Sequence, residues 1–168
     1  MRPGEVLALW LEDVHIQPPR LVVVDRGDLE NLAEIKRPAA ERDLDVSADL
    51  INRLLEYVTV AHTEAVMTNH VFLKQHGPRC GEPMDYADLR ATFRRLGQRA
   101  NVSVTPYLLR HTSLTTLARA GWAPEHLQVR AGHRHFQTTY ASYVHPDPEG
   151  LRAEWERTAP VTTLEAHL

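Results

Sequence analysis

The stretch T-P-Y-L-L-R-H-T at residues 105–112, continued by A-G-H at 131–133 and T-T-Y-A-S-Y-V-H at 138–145, decides how the rest of the chain is read. Apolar spacing predicts helices over 107–120, 123–131 and 136–145, broken at Gly121 and between Gly132 and His135. Arg110 therefore rides on one helix, His133 sits in the break after the next, and Tyr140 and Tyr143 share a third. The two tyrosines lie three residues apart, so helical geometry alone excludes neither as a reactive group.

Upstream, Asp85 or Tyr86 opens a helix whose apolar positions Leu89, Phe93 and Leu96 oppose a basic stripe of Arg90, Arg94, Arg95 and Arg99. That stripe is either a solvated face or a contact to a nucleic-acid backbone. Before it come a short apolar stretch at Val71-Phe72-Leu73 and a turn-rich loop from Gly77-Pro78 to Gly81-Glu82-Pro83. Ser47 is a plausible N-cap for a helix bearing Leu50, Ile51, Leu54, Leu55 and Val58. Val14-His15-Ile16 and Leu21-Val22-Val23-Val24 flank a turn at Gln17-Pro18-Pro19 and read as a hairpin. Leu32 to Arg37 and Arg42 to Val46 read as further extended segments, and the run from Glu5 to Asp13 as a short helix. The expected fold is an α+β domain, mainly helical, with a small three-stranded antiparallel sheet near its N-terminal end.

Composition sets the outer bounds. A chain of 168 residues, 43% hydrophobic and 24% charged, suits one compact globular domain. No stretch approaches the roughly 18 apolar residues that span a bilayer, and no basic-then-apolar leader is present, so a cytoplasmic address is expected. The single cysteine, Cys80, has no partner for an internal disulfide and lacks paired zinc-site spacing. A net charge of -3 argues against nucleic-acid binding until its distribution is read. Residues 74–145 hold ten Lys/Arg against four Asp/Glu, with six His, while the flanks carry the acidic excess.

In order and spacing these residues resemble the tyrosine recombinase (phage integrase) family. Its pattern is a His, less often Lys or Tyr, then two residues and Arg-His-Thr, followed later by Gly-His and a nucleophilic Tyr. Tyr107, Arg110, His111, Gly132, His133 and Tyr143 fall on those positions, with Tyr143 ten residues after His133 and followed by Val144-His145. M-R-P-G-E-V-L-A-L-W-L-E-D-V at 1–14 looks like the family's first arginine motif, with Arg2 as the arginine and Glu5 three residues on. E-I-K-R-P-A-A-E-R-D-L-D-V-S at 34–47 resembles its β-hairpin, in which a lysine precedes a turn, a basic residue and an apolar strand. Lys36 matches that lysine, with Arg37 as its competitor.

The resemblance implies a catalytic set of Arg2, Lys36, Tyr107, Arg110, His133 and Tyr143, and the chemistry explains the residue types. Two planar, permanently charged guanidiniums suit bidentate neutralisation of a developing phosphorane, a role for Arg2 and Arg110. Tyr143 attacks phosphorus, giving a 3′-phosphotyrosine that conserves the bond for rejoining. Lys36 protonates the departing 5′-oxygen, and His133 steadies the phosphate or takes the tyrosine proton. Tyr107 donates a hydrogen bond to phosphate but carries no charge near neutral pH. His111, next to Arg110, points elsewhere on its helix and organises the site from behind.

The resemblance further implies residues 1–160 as a catalytic domain without the N-terminal DNA-clamping domain, and 161–168 as a tail exchanged between subunits. The implied partner is double-stranded DNA, bound by a homotetramer on two duplexes, with no cofactor, no metal and no membrane. Two rivals are weaker. A metal-dependent phosphoesterase using His133, His135 and His145 lacks an acidic cluster, and histidines two apart do not share a helix face. A non-catalytic helix-turn-helix-like DNA-binding module around Gly121 requires neither the lysine hairpin nor the tyrosine.

Overall fold

The computed structural model describes residues 1–133 other than 28, 34 and 36–40, together with residue 152. Helix α1 spans Pro3–Leu7 and a 3₁₀ turn Leu11–Asp13 follows it. Strands β1 (Val14–His15), β2 (Arg20–Val23) and β3 (Arg42–Asp45) come next, then helices α2 (Ala48–Ala61), α3 (Tyr86–Ala100), α4 (Pro106–Arg119) and α5 (Pro124–Ala131). The strands form one antiparallel sheet in the order β1-β2-β3, with Val14 opposite Leu21 and Leu21 opposite Leu44. The expected α+β class and three-stranded sheet are therefore observed.

The apolar run 5–13 differs from the single helix its composition suggests. Pro3 opens α1 where its missing N–H costs nothing, and Glu5 closes the first turn by accepting the Arg2 N–H at 2.6 Å. The helix stops at Leu7 because longer-range partners take over the backbone. The Leu7 carbonyl accepts from Asn31 Nδ2 at 3.0 Å and meets His70 Nδ1 at 3.1 Å. Beyond it, Leu11 N–H bonds the Asn69 carbonyl and Val71 N–H bonds the Leu9 carbonyl. No local periodicity reveals a pairing some sixty residues distant. Leu32 to Arg37 is likewise no strand at its described positions 32, 33 and 35, and Leu32 itself turns left-handed at φ 54°.

The later helices begin and end where their sequence signals lie. Ser47 Oγ caps α2 by accepting from Leu50 N at 3.2 Å. Asp85 and Asp88 cap α3 reciprocally, and buried Lys74 reaches both carboxylates at 3.1 and 3.2 Å. The inward face of α3 differs from expectation at one position: Leu96 is exposed, and Gly97 is buried instead. A Cβ on Gly97 would stand 2.6 Å from the Val102 carbonyl oxygen, so the missing side chain lets the loop into α4 close on the helix.

Two apolar clusters hold this frame. Leu9, Leu21, Ile51, Leu54 and Val71 pack the sheet against α2, and Leu7, Ala8, Leu29, Ala33 and Ile35 pack around α1. Arg26 locks the edge, donating to both Asp13 oxygens at 2.7 and 2.9 Å while its guanidinium lies 4.3 Å over Trp10. The helix expected at 136–145 lies outside the described residues.

Candidate active site

The last turn of α5 is the point on which the site is built. Gly132 adopts φ 64°, its N–H bonds the Val129 carbonyl, and the His133 N–H bonds the Gln128 carbonyl. This is a Schellman closure, which satisfies two carbonyls one turn back and leaves those at the helix tip for other donors. Three arginines from three elements take them in succession. Arg42, opening β3, donates Nε to the Arg130 carbonyl at 3.3 Å. Arg110, in the second turn of α4, donates Nη2 to the Ala131 carbonyl at 2.6 Å. Arg2, capping α1, donates Nη2 to the Gly132 carbonyl at 2.6 Å.

Three guanidiniums so close repel one another, and two features offset this. The C-terminal end of α5 is the negative pole of its helix dipole, which favours cations there. Glu5 adds a full negative charge, its Oε2 2.8 Å from Arg42 Nη2 and its Oε1 3.2 Å from Arg2 Nη1. The Glu5 side chain is fully buried. Burial opposes its ionisation, but the Arg42 hydrogen bond, the Arg2 N–H and the charges of both arginines outweigh it and hold the carboxyl below its usual range.

His133 completes the cluster. Its Nε2 lies 3.2 Å from Arg110 Nη2, and since a guanidinium only donates, that nitrogen carries the lone pair and the ring proton sits on Nδ1. Its carbonyl is fixed by Gln128 Nε2 at 3.1 Å. Burial, then the charges of Arg110, Arg2 and Arg42, push the imidazole down to about 4, against the smaller opposing pull of Glu5. At neutral pH it is an uncharged base beside a positive pocket.

Of the residues singled out in the sequence, Arg2, Arg110 and His133 are thus brought together, the first and last of them 131 positions apart. Tyr107 is exposed, one turn before Arg110 on α4, and lines the open groove between α3 and α4 with Arg90 and Arg94. His111 is exposed on the same helix. Lys36 and Tyr143 lie outside the described residues. Arg42 and Glu5 entered the sequence reading only as spacing marks. Their signal was nevertheless present: in R-D-L-D the alternation buries Arg42 with Leu44 and exposes Asp43 and Asp45, which puts a charge on the inward face of a strand. Among the described residues no group of three or more His, Cys, Asp or Glu is placed to hold a metal ion. None of the described helices is long and apolar enough to cross a membrane.

Comparison with known proteins gives this geometry its context. The phage integrase family matches residues 1–149. Transposase A from transposon Tn554 of Staphylococcus aureus is 32% identical over 157 residues, covering 94% of this chain and 43% of the transposase. Tyrosine recombinase XerD of Lacticaseibacillus casei is 29% identical over 160 residues, covering 95% of this chain and 51% of XerD. Among solved structures, the Tn1549 transposon integrase in complex with transposon right end DNA superposes with a TM-score of 0.78 at 26% identity, covering 95% of this chain and 55% of the integrase. The XerA recombinase shares the fold at a TM-score of 0.70, covering 95% of this chain and 53% of XerA at 24% identity. The chain spans about half the length of the curated relatives it matches. With its motifs in family order, its sheet and helices matching solved recombinases and the family matching 149 of its 168 residues, the chain belongs to the phage integrase family of tyrosine recombinases.

Proposed function

We propose that this chain is the catalytic part of a site-specific DNA recombinase, cleaving and rejoining double-stranded DNA through a covalent 3′-phosphotyrosine. The observation that carries the reading is the convergence of Arg2, Arg110 and His133 on the tip of α5. A scissile phosphodiester is the ligand such a pocket suits, being anionic, small and able to accept several donors at once. Arg2 and Arg110 bind its non-bridging oxygens and neutralise the charge that grows as phosphorus becomes five-coordinate. As the phosphate draws Arg110 away from Nε2, that nitrogen of the neutral His133 becomes free to accept the phenolic proton while Tyr143 attacks. Lys36 returns a proton to the 5′-oxygen that leaves. Tyr107, one turn along α4, reaches toward the same phosphate as an uncharged donor. The assignments of Lys36 and Tyr143 rest on their place in the sequence motifs.

Residues 1–160 act in this reading as a catalytic domain that works with an N-terminal DNA clamp, and 161–168 as a tail passed between subunits of a tetramer. The match to an integrase solved on transposon DNA supports DNA as the partner. The test is incubation in EDTA with a nicked duplex from which the short fragment bearing the freed 5′-hydroxyl diffuses away. A protein-DNA band that survives denaturant is expected, and it should vanish in Arg110→Ala and His133→Ala. No band with any duplex bound by the protein, or a band that requires a divalent metal, would contradict the mechanism.

A further inference from the structure

The third arginine of the cluster is built differently from the other two. Arg2 keeps 20% of its side chain open to solvent, whereas Arg42 keeps 5%. Arg42 spends Nη2 on Glu5 and Nε on the Arg130 carbonyl, so its fork is turned into the protein. It also touches the one residue whose conformation shapes the turn. A Cβ on Gly132 would stand 2.7 Å from Arg42 Nη1 and 2.8 Å from Cζ, so the guanidinium lies flat against the glycine where no side chain fits. A second strut joins the same elements, since Arg130 Nη1 donates to the Asp45 carbonyl at 3.1 Å.

We propose that Arg42 is a positioning residue, a buried bracket whose guanidinium fixes the Gly132-His133 turn against β3 and Glu5 so that Arg2, Arg110 and His133 meet at one phosphate. It ties the strand that follows the lysine-bearing segment to the turn that carries the base. The planar fork is required, because one ammonium cannot span from Glu5 to the Arg130 carbonyl while filling the space over Gly132. This assignment rests on the phosphotyrosine reading for its kinetic consequence, but its geometry stands apart from it.

Two measurements on the same set of variants test it. With a nicked duplex at saturating concentration, Arg42→Met and Arg42→Lys should each slow adduct formation by about 100-fold, the scale of a small misplacement of reacting groups. Their DNA affinity should stay within about twofold of the parent, because the Arg42 guanidinium is buried and held by Glu5 and the Arg130 carbonyl. In parallel, melting temperatures of Arg42→Met, Gly132→Ala and the double variant form a cycle. Gly132→Ala should lower the melting temperature much less in the Arg42→Met background, where the added methyl no longer meets a guanidinium. A parent-like rate in Arg42→Lys would show that charge rather than the fork matters. An affinity loss as large as the rate loss would make Arg42 a phosphate ligand, and strictly additive melting shifts would remove the contact. Each of these overturns the assignment. Should the parent form no adduct at all, the phosphotyrosine reading fails, and the melting cycle alone decides the role of Arg42.

Discussion

Gly132 concentrates several demands in one residue: a left-handed φ, a Schellman closure, a carbonyl offered to Arg2 and a bare Cα under Arg42. Alanine there pays about 1–2 kcal/mol for the left-handed backbone alone, and the contact with Arg42 adds to it, so Gly132→Ala should unfold at clearly lower denaturant and lose cleavage. Arg110→Lys separates charge from shape at the pocket: lysine keeps the cation but loses the planar fork, so cleavage should fall far more than DNA binding. Equal cleavage by Arg110→Lys and the parent would remove Arg110 from the phosphorane site. His133 makes a pH prediction whose sign follows from its depressed pKa. The unfolded chain holds the imidazole proton up to about pH 6.5, while the folded protein releases it near 4. The unfolded state therefore binds more protons between these values, and the contribution of His133 to stability is whole above about pH 6.5 and is lost as pH falls toward 4. Denaturant midpoints measured across that interval should decline in the parent and decline less in His133→Gln. A histidine titration by NMR should place the free-protein midpoint near 4 and move it upward when DNA phosphate fills the pocket.

At the scale of elements, the frame that aims these residues is ordinary packing and capping. Ile51 is buried at the centre of the contact between α2 and the sheet, so Ile51→Ala should cost about 2–5 kcal/mol, read as a lower denaturant midpoint. If it costs less than about 1 kcal/mol, on the scale of a tolerated swap, the sheet and α2 do not form one core. The helices α2 to α5 were legible because their signals are local: Ser47 and Asp85 cap, Gly121 and Gly132 stop, and apolar spacing fills between. What local signals miss is any backbone whose partner is remote. The run from Glu5 to Asp13 reads as one helix, yet its middle pairs with Asn69 to Val71. Leu96 reads as inward, yet the short path into α4 requires a glycine there and shifts the buried face to Gly97. The identities of Arg2, Arg110 and His133 were readable from motif spacing. Their meeting on three successive carbonyls was not, since it depends on how α1, α4 and α5 pack.

Over the whole molecule, a net charge of -3 coexists with a candidate site where Arg2, Arg42 and Arg110 gather and with an arginine-rich α3 whose Arg90, Arg94, Arg95 and Arg99 are all exposed. The charge is sorted in space, and affinity for DNA should follow the local field. Binding by the 168-residue chain is expected to be weak and to fall steeply with salt, because the net charge is negative and attraction to phosphates rests on local clusters of arginine. Titrations at several salt concentrations check it, and tight, salt-insensitive binding would sink the account of the charge distribution. The central claim is that a tyrosine attacks a phosphate held at the tip of α5, and the most direct measurement is to find the tyrosine. A trapped adduct on nicked duplex, digested with protease and nuclease and sequenced by mass spectrometry, should carry its nucleotide on Tyr143, and Tyr143→Phe should form none while Tyr140→Phe still does. A nucleotide mapped to Tyr140, or an adduct that persists in Tyr143→Phe, would contradict it.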